Sequence, residues 1–600
     1  MARRRPRGIR LRSSPRGRGL PRAVQAGARY RFAGDRAVLT GGCRPLCLVG
    51  TDIAVFAVRE RESGNEELPE DPLSDPSEQR LAWDPRREPC IPTVTVDGAS
   101  AYHSLCALLA DADGLAALDC ASPGETVAVI EHLLAICFAS GTCPASDEEW
   151  RAWIVGRRDL APAAEWLAGE PAEAWDLFHP TAPLVQNSRL AEDLCESGTG
   201  TAQLVIEHAG DYNQHFDHHH LELDNPLPAA DAFRATLTQH VYGLYGRARM
   251  SGQRLGAKVT NLAAGRLTGR IRVIALGRTL GETLRLNLYP AQRPGDPLNT
   301  SWTTGPVERR TFKEKAKPRV PRSSADLHSA LGRSVLLRPG RGTQGQVVVD
   351  RVLIGAGEVL ELDEQRHLQD AVFGQTTSGV RKPLWPSPTR ALWQQAHALY
   401  SAVRDDRSGM YARLRSLPYE RQGTGAPYQL WAVGLVANKT LPVAWTHGAY
   451  PYAPGMAGHL FRASRRGSDI AEHIARSLKH AAILAAETAF PAMRAADEAG
   501  QVARLDARWA FWPSAEDPFH ELLDEVVERG PQDDDPVSEP LITYAQALVT
   551  TARTQLLQRL DALPPNDRNH RARARAVHRF EDDMSGSRAP AELRGEIARD

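Results

Sequence analysis

From Met456 onward, apolar residues recur only at helical spacing. This switch of period constrains the fold more than any other feature of the chain. Ile470, Ile474, Leu478 and Ile483 make one stripe. Leu541, Ala545, Leu548, Ala552, Leu556 and Leu560 make another. Spacings of three and four residues put such groups on one face of a helix. Helices are expected over 456–488, 492–510, 518–529, 538–562 and 567–582. Short connections between them favour an antiparallel bundle.

Upstream the pattern is mixed. Strands are expected at Ile271–Leu276, Leu284–Leu288, Val347–Ile354 and Val359–Leu362. The run QLWAVGLVANKTLPVAW reads as a hairpin, with two apolar segments flanking Asn438-Lys439-Thr440. RLAWDPRREPCIPTVTVDGASAYHSL reads as strand, Asp97-Gly98 turn, then helix. Val127–Ala139 is apolar at helical spacing, with Glu131 and His132 expected on the other face. Ser146, followed by Glu148 and Glu149, caps a further helix. The fold class is therefore α+β: an irregular mixed α/β domain over 81–455, then helices over 456–600. Residues 1–30 hold ten arginines and no acid, and 60–80 turn acidic and Pro-rich. Residues 1–80 are thus expected to be a disordered extension.

Lys+Arg and Asp+Glu both number 73. The balance excludes a simple polycation coating nucleic acid but leaves room for a local basic groove. The eight cysteines all lie between positions 43 and 195 and form no CxxC pair, so free thiols in a reducing cytoplasm are expected. No stretch reaches about 18 apolar residues, so no membrane span is expected.

The densest cluster of ligand-type side chains is His215-Phe216-Asp217-His218-His219-His220. Imidazole and carboxylate are groups that zinc and iron take. Three adjacent histidines cannot all face one ion on a regular element, and no HExxH supports them. No P-loop, GxGxxG or GxSxG is present. Gly243-Leu244-Tyr245-Gly246 allows a close backbone approach. Basic groups mark loop tips: Lys439 on the hairpin, Arg381 and Lys382 before Pro383, and several in the 308–322 loop. Hairpin tips can wedge into nucleic acid by laying side chains against an unstacked pair. Arg571, Arg573 and Arg575 spread a diffuse basic face around the last helix.

Four motifs in order carry a family resemblance. WDPRREPCIPTVTVDG…SL, AWDLFHPTAPLVQ, TLGETLRLNLYP with Trp302 downstream, and FWPSAEDPFHELL together resemble the CasA family. This family provides the large subunit of the type I-E CRISPR Cascade complex. The match runs over roughly residues 81–600, and residues 1–80 have no counterpart. The resemblance implies a mixed α/β domain followed by a C-terminal four-helix bundle. It implies a non-catalytic protein; some relatives carry a Cys-rich zinc knuckle mid-domain, but no Cys follows position 195 here, so no metal or cofactor is expected. Such a protein reads the protospacer-adjacent motif on double-stranded DNA, helps open the duplex and recruits a separate helicase-nuclease. Its partners would be the other Cascade subunits and crRNA. This division suits the chemistry, because guide pairing reads the long sequence and the protein reads only a short duplex feature.

By resemblance, Phe216, Asp217 and His218 open a DNA- and guide-contacting loop, and Gly243 and Gly246 form a minor-groove loop. Asn438, Lys439 and Thr440 tip the wedge, with Lys where a Gln can occur, and Arg381 and Lys382 add basic contacts. Two rival readings remain at this level. One is a metal-dependent hydrolase using His215–His220, and the other is a scaffold without DNA contact.

Overall fold

The first hairpin turns at Asp97-Gly98, where Gly98 takes φ +88°, a left-handed backbone that L side chains rarely adopt. Strands β1 (Ile91–Thr95) and β2 (Ser100–His103) pair antiparallel across it, and β3 (Leu115–Leu118) adds to the other side of β1. The sequence reading went from turn directly to helix and missed β2. Its SAYH sequence carries little β-signal, and it exists as an edge strand because β1 supplies its partners. These coordinates come from a computed structural model, which describes residues 80–194, 198–208, 225–247, 261–302, 317–375, 380–419, 426–438, 441–492 and 494–597. The 1–80 extension thus lies outside the described residues, except for Arg80.

Helix α1 (Pro123–Ala139) starts where Ser122 Oγ accepts from the Glu125 amide at 3.3 Å, with Pro123 at the first helical position. It is buried nearly all round. Glu131 and His132 are therefore not on a solvated face: they are 0% and 3% exposed. Other elements roof the helix, so Glu131 finds charged partners inside, whereas His132 packs edge-on against Trp175 and Phe233 with its Nε2 unpaired among the described residues. The Ser146 cap forms as expected on Asp147–Val155, with Ser146 Oγ accepting from the Glu149 amide at 3.1 Å.

Next come α2 (Ala229–Tyr242) and β4 (Arg272–Leu276). The expected strand at Leu284–Leu288 is instead helix α3 (Leu280–Asn287). Thr279 Oγ1 accepts from the Glu282 amide at 3.1 Å, and Glu282 Oε2 accepts from the Arg278 amide at 2.7 Å. This reciprocal cap starts a helix, and it overrides the apparent alternation of leucines. Strands β5 (Arg333–Arg341) and β6 (Val347–Ala356) form a second hairpin. Val359–Leu360 pairs elsewhere, in parallel with Pro318–Arg319.

After α4 (Ala396–Asp405) comes the long hairpin of β7 (Tyr428–Asn438) and β8 (Leu441–Tyr452). β7 lies between β8 and β4. Alternation along this sheet feeds two cores. Leu430, Ala432, Val273 and Ala275 face the core shared with the C-terminal helices. Val433, Leu435 and Ile274 face the core built on α1 and the first sheet. A sheet buried on both faces reads as a continuous apolar run, as AVGLVA does here.

The C-terminal region is helical as expected: α5 (Ala457–Ala489), α6 (Ala495–Leu505), α7 (Arg508–Ser514), α8 (Glu516–Arg529), α9 (Ser538–Leu560) and α10 (Asp567–Ser585). Helix α5 packs against α6, α8, α9 and α10, and also against α4 from the preceding region. Ile470, Ile474 and Leu478 are fully buried, as is the Leu541-to-Leu560 stripe to within 4%. Ile483 is half-buried. No helix among the described residues is long and apolar enough to cross a membrane.

Candidate nucleic-acid interface

The β7–β8 pairing ends with Asn438 opposite Leu441, after a register shift between Val436 and Ala437. Ala437 and Asn438 are exposed, as is Val443. Lys439 and Thr440, expected at the tip, lie outside the described residues. The hairpin's root is fixed by Trp445 on β8. The Trp445 ring meets Tyr242 edge-on, with centroids 4.8 Å apart. Its Nε1 donates to Glu207 Oε1 at 2.6 Å. It lies so close over Gly124 that a Cβ there would sit 2.7 Å from ring atom Cζ3, with two ring atoms nearer still. A side chain cannot be tolerated at Gly124 unless the ring moves.

The structure brings the Arg381–Lys382 segment to the same sheet. Arg381–Pro383 is a short strand paired with Phe373–Gln375. Just beyond it, the Ile271 amide donates to Leu384 O at 3.1 Å, and Pro386 closes over Gly434 of β7. The two basic residues are not equivalent. Arg381 lies 3.2 Å from Glu364 and 3.3 Å from Asp406, and its guanidinium stacks 4.4 Å above Phe373. Lys382 is exposed and makes no such contact among the described residues.

Gly243 and Gly246 play different structural parts. Gly243 ends α2 and is buried. A Cβ there would meet the Arg333 guanidinium at 2.6 Å. Arg333, 1% exposed, donates through Nη1 to Ala263 O at 2.6 Å and through Nη2 to Leu244 O at 2.5 Å. It thereby ties together the two chain segments that bracket 248–260. Gly246 lies in a two-residue strand paired with Asn261–Leu262, beside exposed Tyr245. Phe216, Asp217 and His218, with the whole His215–His220 cluster, lie outside the described residues. Among the described residues no group of three or more His, Cys, Asp or Glu could hold a metal ion. Of the 308–322 loop, Arg319 is occupied: it bridges Asp326 at 2.7 Å and Glu358 at 2.9 Å.

Two of the residues quoted for the family resemblance build the frame. Asp176 accepts from the amides of Trp83 at 3.1 Å and Phe178 at 3.0 Å. Gln186 donates to Leu177 O at 2.7 Å and accepts from the Leu337 amide at 2.7 Å. Sequence reasoning missed Arg333 and the buried set around Glu131. There the carboxylate contacts Arg266, Arg272 Nε at 2.9 Å and His328 Nδ1 at 2.6 Å. Burial, and then the neighbouring arginines, hold His328 well below its usual pKa, so it is neutral. A signal did exist: a lone Glu-His pair inside VAVIEHLLAICFA, and an arginine leading the apolar run RSVLL.

Comparison with known proteins follows the same geometry. No curated protein sequence matches. Among solved structures, the fold is similar to CasA (Cse1) of Thermus thermophilus, with a TM-score of 0.66 and 18% identity over 84% of this chain and 98% of that one. Cse1 of Acidimicrobium ferrooxidans gives 0.62 and 20%, over 84% and 100%. A chain of a CRISPR RNA-guided surveillance complex gives 0.61 and 20%, over 84% and 100%. The family model of CRISPR-associated protein Cse1 matches residues 87–555. The resemblance read from four sequence motifs is borne out: this chain belongs to the Cse1 (CasA) family of CRISPR-associated proteins.

Proposed function

We propose that the chain is the large, non-catalytic subunit of a cytoplasmic type I-E Cascade complex. It joins crRNA and the other subunits, reads the protospacer-adjacent motif on double-stranded DNA, starts duplex opening and recruits the helicase-nuclease. The observation that carries this reading is the β7–β8 hairpin, which combines an exposed end at Asn438 with a root fixed by Trp445. A wedge must be anchored, because parting stacked pairs costs a few kcal/mol per step and a loose hairpin would bend instead. Asn438, Lys439 and Thr440 form the wedge, and Lys382 beside the hairpin's sheet contacts phosphate. Gly243 and Gly246 shape the loop that meets the minor groove, with Phe216–His218 contacting DNA and the guide end. The long helices α5, α8, α9 and α10 act as a four-helix bundle that holds the displaced strand and partner subunits.

The test is target-duplex binding by a crRNA-loaded complex of the neighbouring proteins, with and without this chain, on duplexes differing only in the flanking pairs. The chain should tighten binding to one flank over the others, and Lys439→Ala should weaken that preference. A chain that joins the complex while every flank binds alike is a scaffold, and the recognition role is then wrong.

A further inference from the structure

Behind β4, Arg266, Arg272, Asp370 and Arg413 line a small, partly open cavity that the proposed DNA role does not use. Gln369, His328 and Tyr289 also line it. The space is about 30 Å³, enough for one or two water-sized occupants and too small for a sugar or base.

The charges around it do not balance. Four guanidiniums are at least nine-tenths buried: Arg266, Arg270, Arg272 and Arg413, with side chains 6%, 5%, 3% and 6% exposed. Among the described residues, two buried carboxylates sit among them. Glu131 contacts Arg266 and Arg272, and Asp370 contacts Arg270 at 3.0 Å and Arg272 at 2.9 Å. Asp147 is 3.8 Å from Arg413, but its side chain is 64% exposed. Neutral His328 adds no charge. Among the described residues, two of the four positive charges therefore lack a buried carboxylate, Arg413 having only the exposed Asp147, and a weakly compensated buried charge is unfavourable.

Hydrogen bonding shows the same deficit. Arg266 Nε, Arg270 Nη1 and Arg413 Nε are buried without an acceptor. Arg413 reaches Gln369 Oε1 only at 3.4 Å. Buried guanidinium donors are normally paired, so orphans on two side chains lining one cavity point to an acceptor that the described residues do not supply. Burial, reinforced by like-charged neighbours, also holds the Arg266 guanidinium down at about 9, and burial lowers Arg413.

We propose that the cavity between Arg266 and Arg413 binds a small inorganic anion, and that the anion is monatomic, with chloride as the fitting species. An anion there supplies the missing acceptor and neutralises part of the surplus charge. It also bridges the two cores. Arg266 precedes Leu267 of the N-terminal core, whereas Arg413 sits in helix Gly409–Arg415 beside Leu414 of the core shared with the C-terminal helices.

The test uses the full chain transferred into sodium gluconate. Chloride is titrated in at constant ionic strength while Tm is followed, and phosphate and sulfate are titrated in parallel. Ligand that binds only the folded state raises Tm saturably, by about 3 °C at a hundredfold excess over Kd. Chloride should do so for the wild type and not for Arg413→Met, and bromide-soaked crystals should show an anomalous peak between Arg266 and Arg413. Equal Tm in chloride and gluconate, or an equal chloride response in Arg413→Met, would overturn the proposal. A response to phosphate or sulfate alone would overturn the monatomic assignment. If Arg413→Met does not fold, the bromide peak in wild-type crystals decides the question.

Discussion

Gly124→Ala gives the sharpest single test of how the hairpin is held. Replacing a helical glycine by alanine usually stabilises, by about 0.5–1 kcal/mol, because alanine has the higher helix propensity and the unfolded chain loses freedom. Gly124 is the second residue of α1 and is buried. The added Cβ would sit within 2.7 Å of three Trp445 ring atoms. The ring belongs to a strand paired along its length with β7, so it cannot withdraw cheaply. Its displacement costs the edge-on contact with Tyr242, about 0.5–1.5 kcal/mol. It also costs the hydrogen bond to the Glu207 carboxylate, about 1.5 kcal/mol after allowing for its exposure. Offset by propensity, the substitution should destabilise by about 1–3 kcal/mol, the usual range for overpacking. Thermal and urea unfolding of Gly124→Ala, Trp445→Ala and the double variant form a cycle. The clash exists only when both groups are present, so the double variant should be more stable than the sum of the single effects allows. In the assembled complex, Gly124→Ala should also weaken discrimination between flanking sequences, because the hairpin root has shifted. A stabilising Gly124→Ala, or strictly additive effects, would refute the reasoning.

Other outcomes follow from the buried charges and from the surface. Glu131→Ala strands Arg266 and leaves Arg272 with Asp370 alone, and should cost about 3–5 kcal/mol, read as a loss of Tm. Asp370 resists burial and is held well below the usual carboxylate range by Arg270 and then Arg272. Its depressed value means that its contribution to stability is present above the unfolded value of about 3.9 and is lost as pH falls toward the folded one. Unfolding followed by circular dichroism should therefore show Asp370→Asn less stable at neutral pH, with a flatter acid limb than wild type. Lys382→Ala should leave stability within about 0.5 kcal/mol of wild type. It should also lower the slope of log affinity for target duplex against log salt by about 1, the signature of one lost phosphate contact. Arg381→Ala should change that slope less, because Glu364 and Asp406 already share its charge. Burial pushes the Cys137 and Cys90 thiols up to about 12, so in the native protein both should resist iodoacetamide while, of these three, the half-exposed Cys106 is alkylated first, as mass spectrometry would report.

How much was legible in the sequence varied with the type of signal. Helices α5, α8, α9 and α10 were readable to within a few residues, because repetition at helical spacing is local and long stretches average out exceptions, but the single helix expected over 492–510 is two, α6 and α7, parted at Asp506, whose carboxylate accepts from the Arg508 amide. The β7–β8 hairpin was readable for the same reason, with two apolar runs on either side of Asn438. Short elements were less secure. The strand at Ser100–His103 owes its form to the neighbour that pairs with it, and Leu280–Asn287 owes its form to a Thr279–Glu282 cap hidden under a strand-like row of leucines. The motifs that identified the family are partly structural. Asp176 and Gln186 spend hydrogen bonds on the frame.

The sequence by itself determined the α+β class, the switch to helices near Met456 and membership of the Cse1 family, since each rests on pattern along the chain. Tertiary structure alone decided which faces of those elements are inside. Glu131 sits on a helix that could have shown one side to water, yet elements from far along the chain cover it, and Arg266, Arg272 and His328 arrive there from 135 to 197 residues away. The same holds for Trp445 over Gly124 and Arg333 against Gly243. Periodicity records which residues share a face, but only the assembled chain fixes what that face meets. The resulting close contacts and unbalanced charges carry no signature in sequence spacing.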